Sequence, residues 1–276
     1  MNGVTTPEAA LYLDCDMAAA DRHPFGRGVG AVLSARAPDK DSANEDCAAL
    51  IPYTADSGVL VVADGVGGMP AGEEASRLAV ESLRNALARA RREGGELREA
   101  VMNGIEAANR AVTALGVGAA TTLAAVEIQG CTARPYHVGD SMVLVTGQRG
   151  RLKLQTVSHS PVGYAIEAGL LDEQEAMHHE ERHLVLNTIG SPDMRIEIGS
   201  AVRLAPRDTL LLATDGVFDN LHIEEIVALV RVGPLGEAVG RLARACRERM
   251  RQPQDGLASK PDDLTVIAFR CDPRRR

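Results

Sequence analysis

Val61-Val62-Ala63-Asp64-Gly65-Val66-Gly67-Gly68-Met69-Pro70-Ala71-Gly72 reads as a buried strand that ends in a carboxylate, turns on glycine and opens into a helix. The apolar, partly β-branched run before Asp64 suits a sheet interior. An Asp at a strand end projects from a rigid element, and Gly65, Gly67 and Gly68 let the backbone come close to a bound ion or anion. Beyond the turn, Glu73 to Arg92 keeps Ala75, Leu78, Ala79, Leu83, Leu87 and Ala90 on one stripe, with arginines and glutamates opposite. Gly94 and Gly95 end that helix, and Leu97 to Leu115 repeats the pattern.

Outward from this segment, apolar or alternating runs bounded by turn residues predict strands at 28–35, 47–51, 58–63, 121–128, 131–138, 142–146, 151–157, 196–204, 209–213 and 264–269. A second helix pair is expected at 223–231 and 235–250, broken at Val232-Gly233-Pro234. Strands in short-turn succession, interrupted by helix pairs rather than single crossover helices, predict an α+β fold. The expected architecture is a four-layer sandwich, two central antiparallel sheets flanked by antiparallel helix pairs. Residues 1–25 are expected to form a loosely ordered extension, 26–271 the folded domain and 272–276 a basic tail.

The 276 residues carry 30 Lys and Arg against 38 Asp and Glu, a formal charge of −8. That balance repels DNA and RNA phosphates and argues against nucleic-acid binding. The N-terminus has no basic region followed by an apolar one, and the longest charge-free stretch, Ala111 to Val126, is too short and glycine-interrupted to span a membrane. Five cysteines at isolated positions, with no CxxC spacing, are expected to be reduced thiols of a cytoplasmic protein.

The strand-then-carboxylate design recurs. Thr209-Leu210-Leu211-Leu212-Ala213-Thr214-Asp215-Gly216 repeats it, His137-Val138-Gly139-Asp140-Ser141 puts a third Asp beside a strand end, and Pro261-Asp262-Asp263 and Asn44-Glu45-Asp46 each precede a strand. Such carboxylates gathered at one pole would repel one another unless cations neutralised them. Oxygen-rich ligands, poor in His and Cys, favour hard ions such as Mg²⁺ or Mn²⁺ over Zn²⁺.

The ordered series NED, VVADGVGG-x₃-G, ATTL, HVGDS, LLLATDGVFD and PDDLTV resembles the type 2C metal-dependent protein phosphatases over about residues 28–270. The resemblance implies hydrolysis of phosphoserine and phosphothreonine in proteins by a water bridging two Mn²⁺ or Mg²⁺ ions. By position, Asp64 corresponds to the carboxylate shared by both metals and Gly65 to a carbonyl ligand of one. Asp215 and Asp262 correspond to further ligands, and Asp140 to a ligand of a third, weaker ion. Asp46 corresponds to a carboxylate that hydrogen-bonds water at the metals, through which the leaving group is expected to gain its proton. Residues 158–190 fall where the family has a flap bordering the substrate groove. The implied partner is a protein phosphorylated by a serine/threonine kinase, and the chain is expected to act as a monomer. The rival reading is a catalytically silent member that binds phosphoproteins as a signalling module.

The sequence departs from the family pattern where many members carry a phosphate-gripping Arg, three residues before the Asn of NED. Asp41 stands there, preceded by Lys40, which is expected to take over with a point charge in place of a bidentate fork. His179-Glu180-Glu181-Arg182-His183 formally matches HExxH, but its charged flanks predict a polar surface helix rather than a zinc-protease helix. Thr121 and Thr122 read as ordinary strand residues.

Overall fold

The computed structural model describes residues 8–254 and 256–272. In chain order they form β1 (Ala10–Leu13), β2 (Asp21–Phe25), β3 (Gly28–Ala35), β4 (Asp46–Pro52) and β5 (Ser57–Asp64), then the helices α1 (Gly72–Glu93) and α2 (Leu97–Thr113). Strands β6 (Leu123–Gln129), β7 (Thr132–Val138), β8 (Met142–Thr146) and β9 (Leu152–Gln155) lead into short helices α3 (Pro161–Glu167) and α4 (Glu173–Ala176) and a 3-10 turn at Glu180–His183. After β10 (Glu197–Ile198), β11 (Val202–Arg203) and β12 (Thr209–Ala213) come α5 (Asp215–Phe218), α6 (Ile223–Val230), α7 (Leu235–Arg251) and β13 (Leu264–Cys271).

Two antiparallel sheets result. One runs β1-β4-β5-β6-β7-β10, with β11 also on β7, and the other β2-β3-β13-β12-β8-β9. The strand period of two sorts their side chains. Along β5, Val59, Val61 and Ala63 pack toward α1 and α2, whereas Leu60 and Val62 enter the apolar layer between the sheets with Leu50, Val143, Leu212 and Phe269. Leu211, Val266 and Ala268 pack on the far side against Val239 and Leu242 of α7. Three cores separate four layers, as the sequence predicts. Asp64 shares the parity of Leu60 and Val62, and Asp46 that of Ala48 and Leu50, so both carboxylates fall on the inter-sheet side.

Three details differ from expectation. Residues 10–13 and 21–25 are edge strands pairing with β4 and β3, not a loose extension. The strand expected at 196–204 is two short pieces on β7. Cys131 and Cys271 form a disulfide, with Cα atoms 5.7 Å apart and a sequence separation of 140, while Cys15, Cys47 and Cys246 are free. Residues 1–7 of the expected extension and 273–276 of the tail expected at 272–276 lie outside the described residues.

The disulfide joins the β6–β7 turn of one sheet to the end of β13 in the other, at the pole away from Asp64. Closing so long a loop stabilises by about 2–4 kcal/mol, mainly by restricting the unfolded chain. Cys131→Ser is therefore expected to lower the melting temperature by roughly 5–15 °C under non-reducing conditions. Melting curves that coincide for variant and oxidised wild type would show that the bridge adds nothing.

Candidate active site

Asp46 and Asp64 lie directly opposite each other where β4 begins and β5 ends. The backbone around them is tied from several directions. The Asp64 carbonyl accepts from the Thr121 hydroxyl at 2.7 Å and the Thr122 amide at 2.8 Å. The Gly65 amide donates to the Glu45 carbonyl at 3.0 Å. A Cβ on Gly65 would come within 2.4 Å of the Gly72 backbone, so only glycine permits this close return of the turn. The buried Asn44 side chain accepts from the Asp46 amide at 2.9 Å and donates to the Cys15 carbonyl and Ser34 hydroxyl. It pins the start of β4 to the neighbouring sheet.

The second sheet delivers its carboxylates to the same pole. Thr214, which follows β12, donates its hydroxyl to Asp46 Oδ2 at 2.8 Å and accepts from the Thr265 amide at 3.0 Å. Asp215 follows at once, and Asp262 approaches from the turn before β13. Lys260 Nζ lies 2.5 Å from Asp215, 2.9 Å from Asp262 and 3.1 Å from Asp219. Asp140 lines the same cavity as Asp215 and Asp219.

Burial, reinforced by repulsion from neighbouring carboxylates, holds Asp46, Asp64, Asp140 and Asp262 above the ordinary carboxylate range. Asp64 is raised by burial and then by Asp46, Asp215, Asp262 and Asp140. Asp46 is raised by burial and by Asp263, against the opposing Thr214 bond. Burial, Asp215 and Asp219 push Asp140 up to about 8, and burial with Asp215 pushes Asp262 up to about 6. Among the described residues, the buried Asp46 Oδ1 and Asp215 Oδ1 have no hydrogen-bond partner. Unpartnered anionic oxygens are expensive unless a cation meets them. An all-oxygen donor set fits a hard divalent ion.

The shifts carry a sign for stability. A carboxyl raised from 3.8 to about 6 or 8 on folding binds its proton more tightly in the folded state. Its contribution is complete below the unfolded value and is lost as pH rises through the folded one. Metal-free protein is thus expected to lose stability between about pH 5 and 8, with added Mn²⁺ reversing the loss. Thermal unfolding at both pH values checks this, and a metal-free protein as stable at 8 as at 5 would contradict it.

Lys40 does not present a free cation. Its ammonium lies 2.7 Å from both Glu45 and Asp263, two carboxylates that neutralise it. Asp263 also accepts from the amides of Ala37 and Glu45, so this charge cluster knits three loops below the site.

A family model described as Protein phosphatase 2C matches residues 36–254. The chain belongs to the protein phosphatase 2C family. Protein phosphatase PhpP of Streptococcus pneumoniae is 31% identical over 195 residues, covering 67% of this chain and 78% of that protein. The serine/threonine phosphatase of S. agalactiae superposes with a TM-score of 0.73 at 26% identity, over 88% of this chain and 99% of that one. The catalytic domain of the serine/threonine phosphatase PstP, solved with two manganese ions, superposes at 0.68 and 26% identity, over 87% and 96%.

In this 2C-type phosphatase the expected site carboxylates converge, and residues given no role in the sequence reading hold them. Thr214 fixes Asp46, Thr121 and Thr122 fix the Asp64 carbonyl, and Asp219 and Lys260 join Asp215. A lysine two residues before Asp262, in a carboxylate-rich turn, was the available signal. The HExxH stretch is an exposed 3-10 turn, not a helix. A separate grouping of His137, His159 and Glu197 lies within metal-ligating distance of one another. However, His159 Nδ1 accepts from the Gly139 amide at 3.0 Å, which leaves its proton on Nε2, 3.1 Å from Glu197. A metal-bound His places its hydrogen on the outer nitrogen instead. This cluster therefore clamps the Gly139–Asp140 turn rather than holding an ion. Among the described residues no helix is long and apolar enough to cross a membrane.

Proposed function

We propose that this phosphatase hydrolyses phosphoserine and phosphothreonine in proteins at a centre made by Asp64, Gly65, Asp215 and Asp262, loaded with two Mn²⁺ or Mg²⁺ ions. The observation that carries the reading is the pair of buried, unpartnered oxygens on Asp46 and Asp215 among carboxylates that repel one another. Two divalent ions would supply a nucleophilic water at neutral pH and stabilise charge on the transferring phosphoryl group. Asp64, at the end of a strand paired on both sides, would be the carboxylate shared between them. Asp46, oriented through Oδ2 by Thr214, would hold a water at the metals through Oδ1, and that water would give the leaving serine or threonine oxygen its proton.

A cavity of about 350 Å³ runs from Asp140 and Asp215 beneath the flap and past Val162, Ile166, Met177 and Arg182. Its apolar wall suits a substrate side chain next to the phosphorylated residue. Arg182 lines it with a buried Nε that has no partner among the described residues, and one terminal nitrogen donating to the Met177 carbonyl. This arginine, rather than the neutralised Lys40, is the cation we assign to the substrate phosphate. Arg182→Ala is expected to raise KM for a phosphothreonine peptide about tenfold. An unchanged KM would return the role to Lys40.

The chain is proposed to act as a monomer in the cytoplasm on the product of a serine/threonine kinase, and its net charge of −8 disfavours a nucleic-acid partner. The test of function is turnover of a phosphothreonine peptide with EDTA, Mg²⁺ or Mn²⁺. Hydrolysis that needs added metal is expected. A folded protein silent in every metal would favour the phosphoprotein-binding module instead.

A further inference from the structure

Lys260 occupies a place that its neighbours build for it. Its amide donates to Asn220 Oδ1 and its carbonyl accepts from Asn220 Nδ2, both at 2.9 Å. The fully buried Asn220 also donates to the Gly216 carbonyl at 3.0 Å. One amide side chain therefore fixes the lysine backbone against the turn that bears Asp215 and Asp219. From there the ammonium reaches Oδ2 of Asp215, Asp219 and Asp262 at 2.5, 3.1 and 2.9 Å.

The two oxygens of Asp215 are divided. Oδ2 faces Lys260, while Oδ1 is buried with no partner among the described residues. An ammonium on one oxygen leaves the other available to a metal, so the lysine and an ion at Oδ1 need not compete. Asp219 differs, because among the described residues Lys260 is the cation paired directly with it, at 3.1 Å, while Arg182 acts on it only from further off. Three carboxylates against one ammonium leave this group anionic, and only a cation keeps Asp215 and Asp219 together.

We infer that Lys260 is a built-in cation that keeps Asp215, Asp219 and Asp262 assembled before metal arrives and fills the position where a further divalent ion would otherwise sit between Asp215 and Asp219. The centre then takes up two exchangeable ions, not three. This rests on the reading of Asp64, Asp215 and Asp262 as metal ligands. It also gives Asp140, expected to bind a third ion, no divalent partner of its own in the wild-type chain.

The test uses the full chain as wild type, Lys260→Met and Lys260→Arg, with Mn²⁺ titrated calorimetrically and unfolding followed without metal. Wild type is expected to bind two Mn²⁺. Lys260→Met is expected to bind three and to melt at least about 5 °C lower without metal, with saturating Mn²⁺ closing the gap. Lys260→Arg, which keeps the charge, is expected to bind two. If Lys260→Met cannot be purified, Lys260→Met with Asp219→Asn removes one charge of each sign and is expected to fold and bind two. Two ions in wild type and in Lys260→Met alike would overturn this inference alone, as would three in that double variant. No Mn²⁺ binding by wild type would overturn the metal-centre reading and this inference with it.

Discussion

Asp64→Asn is expected to lower kcat/KM for a phosphothreonine peptide by at least about 10³-fold at saturating Mn²⁺, with little change in fold. Removing a hydrogen-bond partner of a metal ligand typically costs 10–100-fold, so loss of the carboxylate proposed to be shared by two ions must exceed that. The fold should tolerate the change because Asn is isosteric and the Asp64 backbone keeps its bonds from Thr121 and Thr122. Relieving repulsion among buried carboxylates should even raise the metal-free melting temperature. A variant that loses activity and gains metal-free stability is the signature of a residue placed for function. Steady-state kinetics and thermal unfolding read the two effects separately. A variant with wild-type turnover would remove Asp64 from the centre.

Gly216→Ala is expected to lose both stability and activity. A Cβ at Gly216 would lie 2.0 Å from the Asp263 carbonyl oxygen and 3.3 Å from the Leu264 Cα. Both are backbone atoms that no rotamer change can move aside. The turn bearing Asp262 must therefore separate from the turn bearing Asp215, and with it two of the proposed metal ligands. Overpacking of this kind costs about 1–3 kcal/mol or more. Displacing reacting groups by about 1 Å can cost 10²-fold in rate. Gly67→Ala is the control, since a Cβ there meets nothing within 4 Å. Equal melting temperatures for the two variants would show that the turns can separate freely.

Much of this architecture is legible in the sequence because the strands that carry it are buried on both faces. Runs such as Val59 to Ala63 and Thr209 to Ala213 announce themselves by composition, and the stripes of α1, α2 and α7 by period. The edges are not legible. β2, Asp21–Phe25, pairs on one side only and buries little beyond Phe25, so its pattern resembles a polar loop. The Cys131–Cys271 bridge joins residues 140 apart and has no local spacing to signal it. At the site, the carboxylates are readable because each stands at a strand end, but the contacts that orient them cross between sheets. Thr214 meets Asp46 over a separation of 168 residues, and Lys40 meets Asp263 over 223. No pattern within one segment reports such a pair. Lys40 illustrates the consequence: its place in the chain suggested a phosphate anchor, and its surroundings make it a strut.

The central claim is that the carboxylates at the strand ends, and not the histidine cluster nearby, hold the ions. Anomalous diffraction at the manganese edge, from crystals soaked in Mn²⁺, tests this most directly. Peaks against Asp64, Asp215 and Asp262 are the expected result. A peak among His137, His159 and Glu197 with none at the carboxylates would contradict the account.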